Sequence, residues 1–212
     1  WLMHTNLQLM QTRGVMRCPP MGMVASIPGT LNINLAALFG IKGSSLGFAS
    51  ACSSSAHAVG HAFDLIQNGR QDIVFAVGAE DCHAFVGLPF AALRALSPQT
   101  DPALAPRAFD RDRDGFVFTR GAAVLVLEES TQASERGAPV LAEMPGWGES
   151  SDGYPVMAPD PGGEGLSRCM GNALAAAGLT NRDIDYLNAH ATSTLAGDLA
   201  ELRAIRRTFA SG

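Results

Sequence analysis

One cysteine, Cys52, lies where the sequence could make a thiol reactive. It follows a short apolar segment, residues 46–51, and precedes a segment whose apolar residues recur at spacings of three and four. These patterns predict a buried strand, then the cysteine, then a helix that ends at Asn68 and Gly69. At a helix N-terminus, unpaired N–H groups and the helix dipole favour a thiolate and can hold an oxyanion. Cys52 is therefore a candidate nucleophile, and a buried structural cysteine is the alternative that its position alone leaves open.

His190 is a second candidate for chemistry. It follows another predicted strand, residues 184–189, and precedes three hydroxyl side chains at positions 192–194. If both halves of the chain share one core, this loop opens onto the same sheet edge as Cys52.

A serine motif competes with the cysteine. Residues 43–47 match G-x-S-x-G, the pattern that carries the nucleophile of α/β-hydrolases. That motif needs a strand before the serine and a helix after it, whereas here the predicted strand follows. We therefore predict that the match has no catalytic role.

Two groups of residues resemble metal sites. His57 and His61, four apart on the predicted helix, could share a metal with His83. The acidic residues within 110–115 resemble the front of a calcium loop, but Gly121 stands where the distal glutamate is expected. We predict ordinary helix histidines, a charged turn (residues 109–116) that pairs internally, and no metal site.

The elements that must position these residues alternate between strands and helices. Buried strands are predicted at residues 46–51, 72–78, 122–127, 140–148 and 184–189. Besides the helix after Cys52, helices are predicted at residues 23–39, 128–136, 164–177 and 198–209. The first is expected to be buried nearly all round, and Asp198 is the predicted N-cap of the last. The Cys52 helix and its two flanking strands predict a right-handed βαβ unit in a parallel sheet.

Composition indicates a globular protein in a reducing compartment. The chain has 212 residues, of which 47% are hydrophobic and 17% charged. Its four cysteines show no C-x-x-C spacing, which favours reduced thiols and a cytoplasmic location. Its apolar runs are interrupted well short of the width of a bilayer, so no membrane span is predicted.

Charge is distributed unevenly along the chain. Residues 1–63 contain no acid and carry a charge of +3 from Arg13, Arg17 and Lys42, whereas the rest carries −8. Such a segment is either mostly buried or a docking surface for an acidic partner. Nucleic acid is excluded as that partner, because three cations are far fewer than a nucleic-acid surface needs.

Five segments, in the same order along the chain, resemble the motifs of one family. They are residues 51–55 (Ala-Cys-Ser-Ser-Ser), 88–97, 109–116, 124–129 and 188–194 (Asn-Ala-His-Ala-Thr-Ser-Thr). Together they are similar to the β-ketoacyl-acyl carrier protein synthases, of the elongating synthase I and II type, and to their polyketide ketosynthase relatives. The chain departs from the family pattern at Ala191 and Leu195, where Gly and Pro are usual, and at residues 119–121, where Gly-Glu-Gly is typical.

The resemblance implies an α/β thiolase-like fold, in which two similar halves stack in α-β-α-β-α layers. Residues 1–130 would be the C-terminal part of the N-terminal half, which carries the nucleophile. Residues 131–212 would begin the C-terminal half, which carries the histidine. The fold is expected to be incomplete at both ends. The first strands of the N-terminal half would be missing, as would the rest of the C-terminal half, which in the family carries a second histidine, a lysine and a Gly-Phe-Gly loop.

The resemblance also implies a reaction, a decarboxylative Claisen condensation in fatty acid or polyketide biosynthesis. Cys52 would accept the acyl chain as a thioester. His190 would assist when malonyl-acyl carrier protein loses carbon dioxide and its enolate attacks that thioester. The alternatives are a thiolase-like acyltransferase without decarboxylation, a cysteine hydrolase, and a non-catalytic partner subunit, although such subunits usually lack the cysteine.

Further site residues follow from the same resemblance. Thr192 and Thr194 would bind the phosphopantetheine arm of the carrier protein. Phe90 and Phe116 would line the acyl pocket and its entrance, and Glu201 would pair with the missing lysine. Acyl carrier protein and a second copy of the chain in a homodimer are the expected partners. No cofactor is expected, because the substrates arrive on the phosphopantetheine arm.

Overall fold

The computed structural model describes residues 2–22, 24, 27, 29–156 and 158–210. Its helices are α1 (Leu2–Arg13), α2 (Thr30–Phe39), α3 (Ser54–Gln67), α4 (Ala84–Ala92), α5 (Ser130–Glu135), α6 (Glu164–Ala177) and α7 (Leu195–Phe209). Its strands are β1 (Ile73–Glu80) and β2 (Gly121–Glu128). The chain divides into two compact units, the first comprising Trp1–Gly78 and Ala122–Gln132, and the second Ala79–Gly121 and Ala133–Gly212.

The first unit contains α3 and most of a two-stranded sheet formed by β1 and β2. The amide of Glu129, just after β2, donates to the carbonyl of Asp72, just before β1, so the two strands run in opposite directions. Helix α3 ends at Gln67, as predicted, and Gly69 follows with a φ of 63°.

Helix α2 differs from its prediction. It begins at Thr30, after Gly29 in the left-handed region at φ 85°, and four positions of the predicted segment, 23, 25, 26 and 28, lie outside the described residues. The prediction that it is buried all round is wrong, since Leu38 is 74% and Phe39 64% exposed. Apolar composition marks a helix as fit for burial, but the surface that covers it must come from elsewhere.

Three predicted strands are not formed. Residues 46–51, 140–148 and 184–189 are all described, and none of them pairs into a sheet there. The parallel βαβ unit is therefore not formed among the described residues either. A strand is defined by hydrogen bonds to a neighbour, and apolar alternation does not supply that neighbour. Residues 146–148 lie instead against α6, where a Cβ on Gly146 would come within 2.7 Å of the Ala177 nitrogen.

The second unit is built on α6 packed against α7. Helix α6 spans its predicted bounds, and Gly178 ends it at a φ of 67°. Ala200 and Ala204 on α7 are buried, and the carbonyl of Pro161, just before α6, accepts a hydrogen bond from Arg203 at 2.7 Å. None of the helices in the described part of the chain has the length and apolar character needed to cross a bilayer.

Candidate active site

Cys52 is exposed and lies in a single 3₁₀ turn, Ala51–Ser53, that leads directly into α3. The predicted helix therefore begins two residues after the cysteine rather than at it. Ala51 has a φ of 50°, a left-handed conformation that is strained for a residue with a Cβ. We call residues 50–54 the cysteine turn.

Hydrogen bonds from the start of α3 hold the cysteine turn. The Ser54 hydroxyl donates to the Ala51 carbonyl and accepts from the Ser50 amide, both at 2.8 Å. The Ser50 hydroxyl lies 2.6 Å from Nδ1 of His57. This serine–histidine contact was not predicted from the sequence. The signal that could have indicated it is the spacing of seven residues, about two helical turns, between Ser50 and His57.

Strand β1 approaches the start of α3 closely. A Cβ on Gly78 would come within 2.5 Å of the Ser55 hydroxyl, so glycine is the residue that lets the strand and the helix meet. Further along α3, the ring of His61 lies 5.3 Å from that of Phe48. These contacts place the helix that supports Cys52 against the sheet of the first unit.

Cys52 contrasts with another thiol, Cys169, in the second unit. Burial raises the pKa of the Cys169 thiol, whose Sγ donates to the Gly148 carbonyl at 3.1 Å. An inert, partly buried thiol is what that environment favours. The exposed Cys52, beside the N-terminal end of a 14-residue helix, has the setting of a nucleophile.

His190 lies in the second unit and is exposed. Its backbone N–H and that of Ala191 donate to the two carboxylate oxygens of Glu201, at 2.6 and 2.7 Å. The carboxylate thus holds the backbone of what we call the histidine loop, residues 190–194. The predicted pairing of Glu201 with a lysine stays a prediction.

Thr194, not Asp198, caps α7. Its hydroxyl accepts from the Gly197 amide at 3.2 Å and lies 2.9 Å from the hydroxyl of Thr192. Helix α7 therefore starts at Leu195, three residues earlier than predicted. Asp198 is 1% exposed and accepts hydrogen bonds from the amides of Ser193 and of the distant Phe109, a role that its position near a helix start did not reveal.

The two phenylalanines predicted to line the acyl pocket lie together in the second unit. The rings of Phe90 and Phe116 are 5.3 Å apart and nearly perpendicular, and Phe118 lies 6.1 Å from Phe90. The neighbour of Phe116, Gly115, donates its N–H to the Ser193 carbonyl at 2.9 Å. The phenylalanine pair is therefore tied to the histidine loop.

The charged turn was predicted to pair internally, but two of its side chains, Asp114 and Arg113, also bind residues outside it. Asp114 accepts from Ser97 and Gln99, whose hydrogen bonds lower the pKa of its carboxyl group, and lies 3.5 Å from Arg107. Arg113 instead reaches Asp198 on α7, at 3.4 Å. Among the described residues, no three His, Cys, Asp or Glu side chains are grouped as a metal site.

Two family models match the chain: the N-terminal domain of β-ketoacyl synthase over residues 4–133, and its C-terminal domain over residues 141–212. The chain is 43% identical to 3-oxoacyl-(acyl-carrier-protein) synthase 1 of Haemophilus influenzae over 93% of its own length and 48% of the relative's. It is 38% identical to synthase 2 of Vibrio cholerae over 98% of its own length and 51% of the relative's.

Solved structures agree with these matches. A β-ketoacyl synthase of Burkholderia phymatum superposes with a TM-score of 0.90 at 36% identity, over 98% of this chain and 51% of that one. A ketosynthase in complex with a type II polyketide acyl-carrier protein superposes equally well, at 26% identity, over 99% of this chain and 53% of that one. The chain spans about half the length of the relatives it matches. The thiolase-like fold predicted from the sequence is thereby confirmed, and the chain belongs to the β-ketoacyl synthase family.

Proposed function

We propose that the full-length protein condenses an acyl thioester with malonyl-acyl carrier protein, releasing carbon dioxide, in fatty acid or polyketide biosynthesis. The match to both β-ketoacyl synthase domains, with the cysteine turn in one and the histidine loop in the other, carries this proposal. The observed geometry supports a distinct role for each of the two segments.

In the first step, the Cys52 thiolate attacks the carbonyl carbon of an acyl thioester. The sulfur of the carrier's phosphopantetheine arm leaves as a thiolate, and a Cys52 thioester remains. The exposure of Cys52 supports access for a macromolecular substrate, and the N–H groups of the nearby helix N-terminus can stabilise the oxyanion.

In the second step, the malonyl thioester loses carbon dioxide, and the electrons of the broken C–C bond form an enolate. The enolate carbon attacks the Cys52 thioester, a new C–C bond forms, and the cysteine leaves as thiolate. The proposed role of His190 is to donate its imidazole N–H to the enolate oxygen. Glu201 supports that role, because it holds the two amides at the start of the histidine loop.

Acyl carrier protein is the proposed partner. A similar ketosynthase has been solved in complex with such a protein, and acyl carrier proteins are acidic. Arg13, at the end of α1, and Arg17, in the short turn after it, are both exposed within a segment that has no acid. These two arginines are the proposed docking site for the carrier.

Replacing Cys52 by Ala in the full-length protein tests the proposal. We expect the variant to form no acyl-enzyme and no condensation product, while Cys82→Ala, which removes another exposed thiol, keeps both. Mass spectrometry of the intact protein detects the acyl-enzyme, and a carrier-bound product assay measures condensation. A Cys52→Ala variant that still condenses would contradict this function, and a wild-type protein without activity would favour a non-catalytic partner subunit.

A further inference from the structure

The Arg113 side chain links the charged turn to the histidine loop and to α7. Its Nε lies 3.4 Å from Oδ2 of Asp198 and donates to the Thr194 carbonyl at 3.2 Å. Its Nη2 donates to the Leu195 carbonyl at 2.7 Å, and its Nη1 to that of Asp110 at 2.9 Å. One guanidinium therefore joins the charged turn to the histidine loop and to the first turn of α7.

Asp198 completes this junction from the other side. Its Oδ1 accepts from the Ser193 amide at 2.9 Å and its Oδ2 from the Phe109 amide at 2.7 Å. The side chain of Arg113 is 15% exposed and that of Asp198 is 1% exposed. Because the carboxylate has so little solvent around it, its hydrogen bonds and its ion pair must satisfy it within the protein.

The segment held in this way is strained. Ala191 and Ser193 have φ values of 48° and 64°, in the left-handed region that residues with a Cβ avoid. Ser193 is fully buried, and its hydroxyl accepts from the Arg107 amide at 2.9 Å. Two strained residues within three positions after His190 persist only where several surrounding contacts hold them in that conformation.

The phenylalanine pair is fixed by different bonds. The Phe116 amide donates to the Ala95 carbonyl at 3.0 Å, and its carbonyl accepts from the Ser97 amide at 2.9 Å. Neither bond involves Arg113 or Asp198. Removing the Arg113 side chain should therefore disturb the histidine loop more than the two phenylalanines, which keep these bonds even if the neighbouring bond from Gly115 to Ser193 weakens.

We propose that Arg113, through Asp198, is a positioning residue for His190: it holds the histidine loop in the strained conformation from which the imidazole meets the enolate. This inference rests on the proposed function. The malonyl step should depend on Arg113, whereas acylation of Cys52 should not. Misplacing a reacting group by about 1 Å can cost about 100-fold in rate.

Arg111 is a matched control in the same turn. Its side chain is 92% exposed and contacts the neighbouring Asp112 at 3.4 Å. In the full-length protein, we expect Arg113→Met to lower kcat for decarboxylation of a malonyl thioester by about 100-fold, with KM and the rate of Cys52 acylation changed less than about threefold. Arg113→Lys, which keeps the charge and loses the planar fork, should recover part of the loss. Arg111→Met should match wild type in every assay.

Hydrogen exchange at residues 190–198 provides a readout that needs no turnover. Exchange should accelerate in Arg113→Met and stay unchanged in Arg111→Met, because Asp198, the acceptor of the Ser193 amide, loses the ion pair that helps to hold it. Equal decarboxylation and equal exchange in the two variants would overturn the inference. So would a parallel loss of both half-reactions, which would mark Arg113 as merely structural. If wild-type protein does not condense, the proposed function fails, and hydrogen exchange still decides whether Arg113 holds the loop.

Discussion

The cysteine turn and the histidine loop are held by different means. Side-chain hydrogen bonds in the cysteine turn join residues three to seven positions apart. The histidine loop has bonds to Glu201 and Asp198 that are also short in sequence, but two further bonds join it to residues 81 and 86 positions away. Asp198, which is 1% exposed, also binds an amide 89 positions away. Both segments nevertheless contain residues strained at positive φ, Ala51 in the first and Ala191 and Ser193 in the second.

This difference predicts how much stability each segment loses when one bonding partner is removed. In the cysteine turn, losing one hydroxyl leaves an uncharged polar group that is partly open to water. In the histidine loop, losing one partner leaves a charge with little access to water, which costs far more than the bond itself. The four predictions that follow, in decreasing order of expected effect, test or refine this contrast.

The largest expected effect is on stability, from Asp198→Asn. The variant keeps the side-chain size but leaves the Arg113 guanidinium, 15% exposed, without its counter-charge. Breaking a buried ion pair costs about 3–5 kcal/mol, and we expect a fall of that order in the free energy of unfolding. Urea denaturation of the full-length protein measures it, with Asp185→Asn, at an exposed position, as control. A loss below about 1 kcal/mol, typical of a surface substitution, would remove the contrast between the two segments.

The same contrast explains what could be predicted from the sequence. Local signals succeeded: the bounds of α6 follow from its apolar periodicity and from Gly178, and the end of α3 follows from Asn68 and Gly69. Cys52, at the junction of an apolar segment and a periodic one, stands out for the same reason. These features depend on neighbours within a few residues along the chain.

Features set by distant partners could not be predicted. Asp198 was predicted as an N-cap because one of the two amides that it binds, that of Phe109, lies 89 positions away and leaves no signal in the sequence around Asp198. Residues 46–51 read as a strand because they are apolar, although no strand pairs with them among the described residues. Family motifs supplied Phe90 and Phe116 as a pair, which periodicity alone did not suggest.

The second prediction asks which unit meets the carrier protein. Reversing Arg13 and Arg17 to Glu should raise KM for carrier-bound substrates about tenfold, or about 1.4 kcal/mol, while turnover of a small pantetheine thioester stays nearly unchanged. The effect should shrink with added salt, since rim charges are screened. Arg206 and Arg207, in the last turn of α7, are the comparison in the second unit. If reversing that pair raises KM and reversing the first pair does not, the docking surface belongs to α7.

The third prediction removes one bond from the cysteine turn. Ser50→Ala deletes the hydroxyl that lies 2.6 Å from His57 Nδ1, and should lower the free energy of unfolding by about 1 kcal/mol. Ser53→Ala is the matched control, because the Ser53 hydroxyl caps no backbone group of α3. Thermal denaturation of both variants measures the difference. Equal stability would show that the remaining bonds of the turn suffice, and a loss like that of Asp198→Asn would make the two segments alike.

The smallest effect concerns a half-buried carboxylate in the charged turn, that of Asp114. Hydrogen bonds from Gln99 and Ser97 lower the pKa of Asp114 from 3.8. The ionised carboxylate is therefore more stable in the folded protein than in the unfolded chain. Its contribution is therefore fully present above the unfolded pKa and is lost as pH falls through the lower, folded value. Asp114→Asn should destabilise the protein at neutral pH, and its deficit relative to wild type should narrow in acid. Urea midpoints at about pH 7 and about pH 3 test this, with Asp185→Asn as the baseline. If Asp114→Asn loses the same amount of stability relative to wild type at both pH values, the charge of Asp114 does not contribute. Asp114 would then differ from the buried Asp198, whose charge is expected to be essential.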